Sequence, residues 1–364
     1  MSQARLASTT RGSIAERVAR ELFASSNIDI NGVEPCDIQV YDDRFYQRVL
    51  AQGSLGLGES YMDCWWDCDS IDQLMFWISK CELQERARKN WETILAVMQA
   101  RIFNLQNRLR AKKVVDVHYD LGNDLFEQML DSRMVYTCGY WKNASSLAEA
   151  QVNKMELVCQ KLGIKKGMQI LDIGCGWGSF AEYAAEKYGA HVVGVTISKE
   201  QADYARRYCK GLPVEIRLQD YRDVRDLARF DRAVSFGMFE HVGYKNYRTY
   251  MQTVHRSLKE DGIFLLHTIG RNDSTSILDP WFSKYIFPNS MLPSVQQISR
   301  STEGLFVMED WHSFGPDYDI TLMAWFENFN RDWPKLKKSG KYDERFYRMW
   351  KYYLLSCAGA FRAR

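Results

Sequence analysis

Residues 170–179 read ILDIGCGWGS, an apolar run followed by an aspartate and three glycines. The glycines stand at every second position: Gly174, Gly176 and Gly178. Such a loop lets a ligand approach the backbone closely. The dinucleotide fingerprint G-x-G-x-x-G would need a glycine where Ser179 stands, and an acidic residue near Thr196 to hold a ribose. These two departures from the pattern disfavour a dinucleotide.

The acidic residue comes earlier, at Asp172, just before the first glycine. Its carboxylate would repel a pyrophosphate, but it suits a cationic ligand that carries an ammonium and a sulfonium group. The pattern D-x-G-x-G-x-G is similar to the loop of S-adenosylmethionine-dependent methyltransferases. That superfamily holds the adenine after the third strand, where this sequence has Asp220 and Tyr221. The loop therefore predicts S-adenosylmethionine as the cofactor.

The elements around this loop alternate between short apolar runs and amphipathic stretches. Five runs are predicted to be strands: 169–174, 191–197, 213–219, 231–237 and 262–270. Helical patterns lie between them, for example at 198–210 and 244–259. This alternation is typical of βαβ units and of a parallel sheet covered on both faces. We therefore expect an α/β, Rossmann-like methyltransferase fold with a smaller N-terminal domain.

Composition narrows the classes of function. The chain of 364 residues is long enough for two domains, and its net charge of +2 excludes a globally basic nucleic-acid binder. Nine cysteines at irregular spacings, with a lone C-x3-C at Cys64 and Cys68, disfavour zinc, so we expect reduced thiols and no metal site. No signal peptide or membrane-spanning stretch is visible. We expect a cytoplasmic protein that meets a membrane only peripherally, at its inner face.

The first part of the chain has a different character. The stretch GSLGLGESYMDCWWDCD (53–69) contains a G-x-G without a strand-to-helix context, and we interpret it as a turn. Residues 84–113 form a basic amphipathic pattern, which indicates either a helix on an anionic bilayer or a connector between domains. The predicted division is an N-terminal domain at 1–100 for lipid or membrane engagement, a linker helix at 101–116 and a catalytic domain at 117–364.

Nine motifs in register carry a closer resemblance: HYDLGNDLF (118–126), MVYTCGYW (134–141), LDIGCGWG (171–178), VGVTIS (193–198), LQDYRD (218–223), GMFEHVG (237–243), LLHTIG (265–270), DPWFSKYIFP (279–288) and DWHSFGPDYDITLMAW (310–325). Together they resemble the cyclopropane-fatty-acid-phospholipid synthases, relatives of the mycolic acid cyclopropane synthases. The resemblance implies methylene transfer from S-adenosylmethionine across a cis double bond of an unsaturated phospholipid acyl chain. A carbocation would form, and loss of a methyl proton would close the cyclopropane ring.

The resemblance also implies a bound bicarbonate ion that takes this proton. The residues that match its site are Cys138, Glu240, His267, Tyr318 and the backbone of Ile269. Without the resemblance, Cys138 would be interpreted as a small buried hydrophobe and Tyr318 as part of a turn region. Glu240 and His267 follow apolar strands, and ligands collect at such strand ends. Cation–π attraction from nearby rings could also stabilise the carbocation: Phe239, Tyr140 or Trp141.

By the same resemblance, the cofactor-binding positions lie in four segments: Tyr136 and Thr137 at the methionine end, Asp172, Gly174 and Gly176 in the loop, Thr196 and Gln201 at the ribose, and Asp220 and Tyr221 at the adenine. Thr137 stands where relatives often have serine, and either hydroxyl can donate a hydrogen bond.

The segment at about 270–303 is expected to be an acyl-binding insert. After CAGAFRAR (357–364) relatives generally continue with a further strand, so we expect either a shortened chain or a sheet without it. The resemblance further implies a homodimer.

Two other functions stay open at this point. The first is a lipid methyltransferase that leaves a methyl branch or an exocyclic methylene and uses nearly the same residues. The complete set of predicted bicarbonate-site residues favours ring closure over this reaction. The second is a non-catalytic lipid-binding protein that retains the fold, which the intact glycine loop disfavours. Binding of S-adenosylmethionine would separate the enzymes from the binding protein.

Overall fold

A computed structural model describes residues 13–81, 122–275 and 277–364. The chain forms two compact units, one of residues 1–119 together with Lys341–Arg364 and the other of Asp120–Gly340. The basic pattern at 84–113 and the predicted linker helix at 101–116 lie outside the described residues.

The first unit combines short helices with a two-stranded antiparallel sheet. Its elements are α1 (Ile14–Ala24), β1 (Gln39–Val40), α2 (Arg44–Gln52), α3 (Ser54–Met62), β2 (Trp66–Asp67) and α4 (Ile71–Lys80). Gly56 lies where α3 packs so closely on α2 that a Cβ atom would clash with the Arg48 carbonyl. The prediction of a turn at 53–69 is therefore wrong for the residues of α3. Gly56 is required there by the close packing of two helices and not by a turn.

The second unit is built on five parallel strands: β3 (Gln169–Ile173), β4 (His191–Thr196), β5 (Val214–Leu218), β6 (Phe230–Phe236) and β7 (Leu258–His267). Their order is β5-β4-β3-β6-β7, so the winding of the chain reverses between β3 and β6. Ligands of such sheets bind outside the carboxyl ends of the strands at this switch point. All five predicted strands are present, although β7 begins at Leu258 rather than at residue 262.

Helices cover both faces of this sheet: α5 (Asn123–Met129), α6 (Leu147–Leu162), α7 (Ser179–Tyr188), α8 (Lys199–Tyr208), α9 (Tyr247–Ser257), α10 (Pro280–Tyr285), α11 (Val295–Thr302) and α12 (Pro316–Lys338). One core cluster joins α6 and α7 to the sheet through residues such as Val158 and Phe180. A second cluster joins α9 and α11 to the sheet through Val254 and Ile298. The α/β prediction is confirmed, with 3-10 turns after β5 and β6 at the ligand-binding edge.

The last helix, α13 (Glu344–Ala363), belongs to the first unit. Its Arg348 donates hydrogen bonds of 2.6–2.9 Å to the carbonyls of Tyr61 and Trp66 and to the Asp67 carboxylate. The structure thus divides the chain differently from the predicted catalytic domain at 117–364, because α13 packs against α3 and α4. Amphipathic pattern alone does not reveal which partner a terminal helix will cover.

The predicted acyl-binding insert at 270–303 contains α10 and α11. A bridge between Arg271 and Ser294 joins the start of the insert to the residue that precedes α11, and Ser294 caps α11 through a capping box with Gln297. The insert returns to the sheet edge where the Met291 N–H donates to the Glu240 carbonyl at 2.9 Å. Within the described ranges, no helix has the length and apolar character needed to cross a bilayer.

Candidate active site

The glycine loop follows β3 and leads into α7. Gly174, Gly176 and Gly178 have φ angles of 79°, 54° and 87°, which glycine adopts without strain. A Cβ atom on Gly174 would lie 2.8 Å from the Met238 side chain, so the position excludes larger residues. A Cβ atom on Gly176 would meet nothing within 4 Å, so this part of the backbone faces open space that a ligand can enter.

Asp172 lies on β3, two residues before the loop, and only 1% of it is exposed. Neither carboxylate oxygen has a hydrogen-bond partner among the described residues. Burial raises the pKa of Asp172 to about 7, because the charged form has lost its hydration. A buried, unpartnered carboxylate fits a ligand that brings a positive charge to it.

The predicted ribose and adenine residues follow β4 and β5. The Thr196 hydroxyl donates to Gln201 Oε1 at 3.1 Å, so the structure brings the two ribose positions together. Asp220 caps a 3-10 turn by accepting from the Arg222 N–H at 2.9 Å, and it pairs with the guanidinium of that residue at 3.3 Å. The hydroxyl of Tyr221 is buried and has no partner in the described ranges. These residues lie at the same sheet edge as the loop.

The predicted methionine-end residues precede α6. The Tyr136 ring packs against Phe126 and Trp325, each at a centroid distance of 5.1 Å. Thr137 lies beside the end of β6, where a Cβ atom on Gly237 would be 2.9 Å from the threonine methyl carbon. Since β6 is the neighbour of β3, Thr137 is placed near the switch point.

Glu240 lies in the 3-10 turn after β6, at 6% exposure, rather than in the strand itself. Its Oε1 accepts a hydrogen bond from the Ile269 N–H at 2.8 Å. Its Oε2 is buried with no partner in the described part of the chain, and burial raises the pKa of this carboxyl. The structure therefore brings Glu240 and Ile269 together, and the Ile269 N–H is directed at Glu240.

His267 ends β7 at the same edge of the sheet. Its ring packs against Phe236 and Phe314, with centroids 5.7 and 5.6 Å away. Its Nδ1 is buried and unpartnered among the residues described. Burial and the positive charge of Lys154 lower the pKa of His267 to about 3, so the imidazole is neutral at pH 7. A neutral imidazole can donate one hydrogen bond and accept another.

Cys138 is 4% exposed, and burial raises the pKa of its thiol to about 12, so the thiol stays protonated at neutral pH. The neighbouring Gly139 N–H donates to Thr321 Oγ1 on α12 at 3.0 Å. Tyr318, in the first turn of α12, packs edge-on against Trp325 at 5.9 Å. The hydrogen bond to Thr321 thus fixes the segment of Cys138 against the helix that carries Tyr318.

The aromatic rings predicted to stabilise the carbocation by cation–π attraction have different surroundings. Phe239 is fully buried and stacks on Tyr247 at 4.0 Å, so its ring belongs to the core and does not fit a cation–π role. Tyr140 packs edge-on against Phe314, which also contacts His267. Of these two, Tyr140 is the ring that borders the site.

Lys154 is a residue of the site that sequence analysis missed. It lies on α6 at 2% exposure, and its Nζ donates to Thr137 Oγ1 at 2.6 Å. Burial lowers the pKa of Lys154 to about 7. A sequence signal existed, because helical spacing places Lys154 on one face with the apolar Leu147 and Val158.

The fold and the site together define a Rossmann-like, S-adenosylmethionine-dependent methyltransferase. The mycolic acid cyclopropane synthase CmaA1, solved as a complex with SAH and CTAB, has this architecture with a TM-score of 0.61. It is 32% identical to this protein, and the match covers 68% of this chain and 93% of that chain. The prediction of S-adenosylmethionine from the glycine loop is thereby confirmed.

Comparison with known protein families and relatives identifies the family within this class of methyltransferases. The family described as mycolic acid cyclopropane synthetase matches residues 106–364. The cyclopropane-fatty-acyl-phospholipid synthase of Escherichia coli K12 is 55% identical over 348 residues, which is 96% of this chain and 90% of that protein. Tuberculostearic acid methyltransferase UfaA1 of Mycobacterium tuberculosis is 33% identical over 88% of this chain and 79% of that protein. The chain belongs to the mycolic acid cyclopropane synthetase family.

Proposed function

We propose that this protein transfers a methylene from S-adenosylmethionine across the cis double bond of an unsaturated phospholipid acyl chain, forming a cyclopropane. Family membership and 55% identity to the Escherichia coli synthase support this reaction. The observation that carries the proposal is a set of buried groups that are neutral or unpaired: Glu240 Oε2, His267 Nδ1 and the Cys138 thiol. Such groups can form hydrogen bonds to a proton acceptor that is bound beside an apolar substrate.

The cofactor site is proposed to comprise the nine residues named from the sequence. Asp172 and the glycine loop would hold the cofactor, which supplies an electrophilic methyl group when bound. An alkene is a weak nucleophile, so alignment must supply much of the rate. Tyr136 is fixed by the rings of Phe126 and Trp325, and it can therefore hold a ligand in one orientation.

Five residues are proposed to hold bicarbonate, which would supply a proton acceptor there: Cys138, Glu240, His267, Ile269 and Tyr318. Their surroundings fit this ion, because bicarbonate both donates and accepts hydrogen bonds and the site offers a thiol, an imidazole and a carboxylate oxygen. Ile269 would act through Glu240, since its N–H already donates to that carboxylate.

A second candidate is a lipid methyltransferase that leaves a methyl branch or an exocyclic methylene. The observation in its favour is the 33% identity to tuberculostearic acid methyltransferase over 88% of the chain. Both reactions would use the same cofactor site. Without a reductant, loss of a proton after methyl transfer leaves either a double bond, next to a methyl branch or as an exocyclic methylene, or a cyclopropane ring.

The test is mass spectrometry of vesicles of cis-monounsaturated phospholipid after incubation with the protein and S-adenosylmethionine, followed by ozonolysis. We expect an added methylene and no cleavable alkene in the modified chains. An added methylene with a cleavable alkene would support the exocyclic-methylene candidate instead. No mass change, with the cofactor bound, would contradict both.

We also propose that the protein acts as a homodimer, peripheral at the inner face of the cell membrane. The substrate supports this location, because the acyl chain has to be reached from the bilayer surface. Val307, Met308 and Trp311 are exposed by 86%, 52% and 52% in the segment that also carries Phe314 of the site. Vesicle flotation tests the membrane contact, and light scattering after gel filtration tests the dimer.

A further inference from the structure

Lys154 is a buried amine that the proposed chemistry does not use, and with a pKa of about 7 it is partly protonated at neutral pH. Among the described residues its ammonium donates one hydrogen bond, to Thr137 Oγ1 at 2.6 Å, and it makes no ion pair there. Its Nζ also lies 5.6 Å from the centroid of the Phe236 ring. An ammonium has three donors, so a buried lysine with one acceptor destabilises the ligand-free protein.

None of the groups described around Lys154 forms an ion pair with its ammonium. Asp131 is near, but its oxygens accept backbone N–H groups of its own turn at 3.1 Å. Cys138 is a protonated thiol, and His267 is a neutral imidazole that packs against the same Phe236 ring at 5.7 Å. The Lys154 amine, which is positively charged when protonated, therefore lies near two members of the proposed bicarbonate site.

An anion in this site needs such a charge. Glu240 is buried in the turn after β6, and its carboxylate, when ionised, would repel a bicarbonate ion in a low-dielectric interior. The charge of Lys154 acts on both Cys138 and His267, since it contributes to the pKa of each. A cation at this place offsets the repulsion.

We propose that Lys154 is a positioning residue whose ammonium, held by Thr137, attracts bicarbonate to Cys138 and His267. The inference rests on the proposed function. It explains why a lysine is buried on this helix face, because a bound anion would offset the unfavourable burial of the ammonium.

The experiment compares full-length wild-type protein with Lys154→Met, Lys154→Gln and Lys154→Arg. Lys165→Met is the matched control, since Lys165 is exposed just after α6. Cyclopropanation is measured against bicarbonate concentration in buffer depleted of carbon dioxide. Two readouts do not need turnover: the melting temperature of the ligand-free protein, and the shift that bicarbonate causes when S-adenosylmethionine is bound without lipid.

We expect the bicarbonate KM to rise about tenfold or more in the Met and Gln variants, the usual size of effect for losing a charged partner. The bicarbonate-induced melting shift should disappear, while Lys154→Arg should retain much of it. Ligand-free Lys154→Met should melt higher than wild type. This gain should be largest at pH 7 and shrink towards pH 10. The pKa of Lys154 falls from 10.5 to about 7 on folding, so the lysine destabilises the folded protein when the pH is below 10.5, and this destabilisation increases as the pH falls to 7.

An unchanged bicarbonate KM in Lys154→Met, together with a lower melting temperature, would overturn the inference and show a purely structural lysine. If Lys154→Met does not fold, equal bicarbonate responses of Lys154→Arg and Lys154→Gln would overturn it as well. If wild-type activity does not depend on bicarbonate at all, the inference fails together with the bicarbonate site. Formation of the cyclopropane would still support the proposed reaction in that case.

Discussion

Asp172 is a buried carboxylate whose oxygens have no partner among the described residues, and we propose that it gives the cofactor loop a preference for a cation. Its pKa of about 7 means that a fraction of the protein carries the neutral acid at neutral pH. A bound cation stabilises the ionised form, so cofactor binding and ionisation of Asp172 are linked. The affinity for S-adenosylmethionine should therefore rise as the pH increases through 7.

Replacing Asp172 by Asn tests this linkage. We expect the dissociation constant for S-adenosylmethionine to rise about tenfold or more at pH 8, because the ligand loses a charged partner. The dependence on pH between 6 and 8 should be lost in the variant. Calorimetry without lipid gives both values, with the exposed Asp261→Asn as control. Equal affinities of the variant and the wild type at pH 8 would contradict the role assigned to Asp172.

Replacing Glu240 by Gln separates binding from chemistry. The amide oxygen can still accept from the Ile269 N–H, so the fold of the site should persist. We expect kcat to fall at least about a hundredfold, the lower range for losing acid–base catalysis, because the bicarbonate that takes the proton would lose a partner, while the affinity for S-adenosylmethionine is unchanged. The exposed Glu260→Gln should behave as wild type. Full activity of Glu240→Gln would remove Glu240 from the proposed site.

Motifs predict which residues lie at the site better than they predict their contacts. The sequence placed Glu240 and Ile269 together, but the 2.8 Å hydrogen bond between them depends on where β7 ends relative to β6. Lys154 was missed, because its role depends on burial against the sheet. The residues that bury Lys154 are distant from it in the sequence, so the local sequence pattern does not predict its burial.

At the scale of elements, the loop between β3 and α7 depends on backbone geometry that only glycine tolerates. An alanine at Gly174 would meet both a φ of 79° and a side chain 2.8 Å away. A left-handed conformation alone costs about 1–2 kcal/mol for a residue other than glycine. Gly211 also has positive φ, at 89°, but it has free space around it.

These two glycines give a matched pair of substitutions. Gly174→Ala should weaken the binding of S-adenosylmethionine by about tenfold or more, since the loop must shift to relieve the contact with Met238. Gly211→Ala should lower stability slightly and leave the affinity unchanged. Calorimetry and thermal melting of both variants check the expectation. Equal affinities of the two variants would show that the contact between residue 174 and Met238 does not control cofactor binding.

The strands were predictable because each combines an apolar run with flanking turn residues, and all five were found. Helix α3 was not predicted, since three glycines in GSLGLGES disfavour a helix locally and packing against α2 overrides this preference. The limits of β7 also differ, because its first residues Leu258–Gly262 carry charges that the apolar pattern excludes.

At the scale of the whole molecule, the C-terminal helix completes the first unit rather than the catalytic one. Arg348 fixes α13 through three hydrogen bonds that a methionine cannot make. We expect Arg348→Met to destabilise the first unit by about 2 kcal/mol or more. Hydrogen exchange of the α4 amides should then become faster.

The control for this change is Lys351→Met on the same helix, which should leave exchange in α4 unaltered. Affinity for S-adenosylmethionine should stay the same in Arg348→Met, because every proposed cofactor residue lies within Asp120–Gly340. A loss of affinity that matches the loss of protection in α4 would show that the cofactor site depends on the first unit.

The central claim is ring closure with loss of one proton from the transferred methyl group. The most direct measurement uses S-adenosylmethionine with a fully deuterated methyl group and vesicles of cis-monounsaturated phospholipid. We predict modified acyl chains that contain two of the three deuterium atoms and resist ozonolysis. Modified chains that keep all three deuterium atoms on a methyl branch, or that are cleaved by ozone, would contradict cyclopropane formation by this protein.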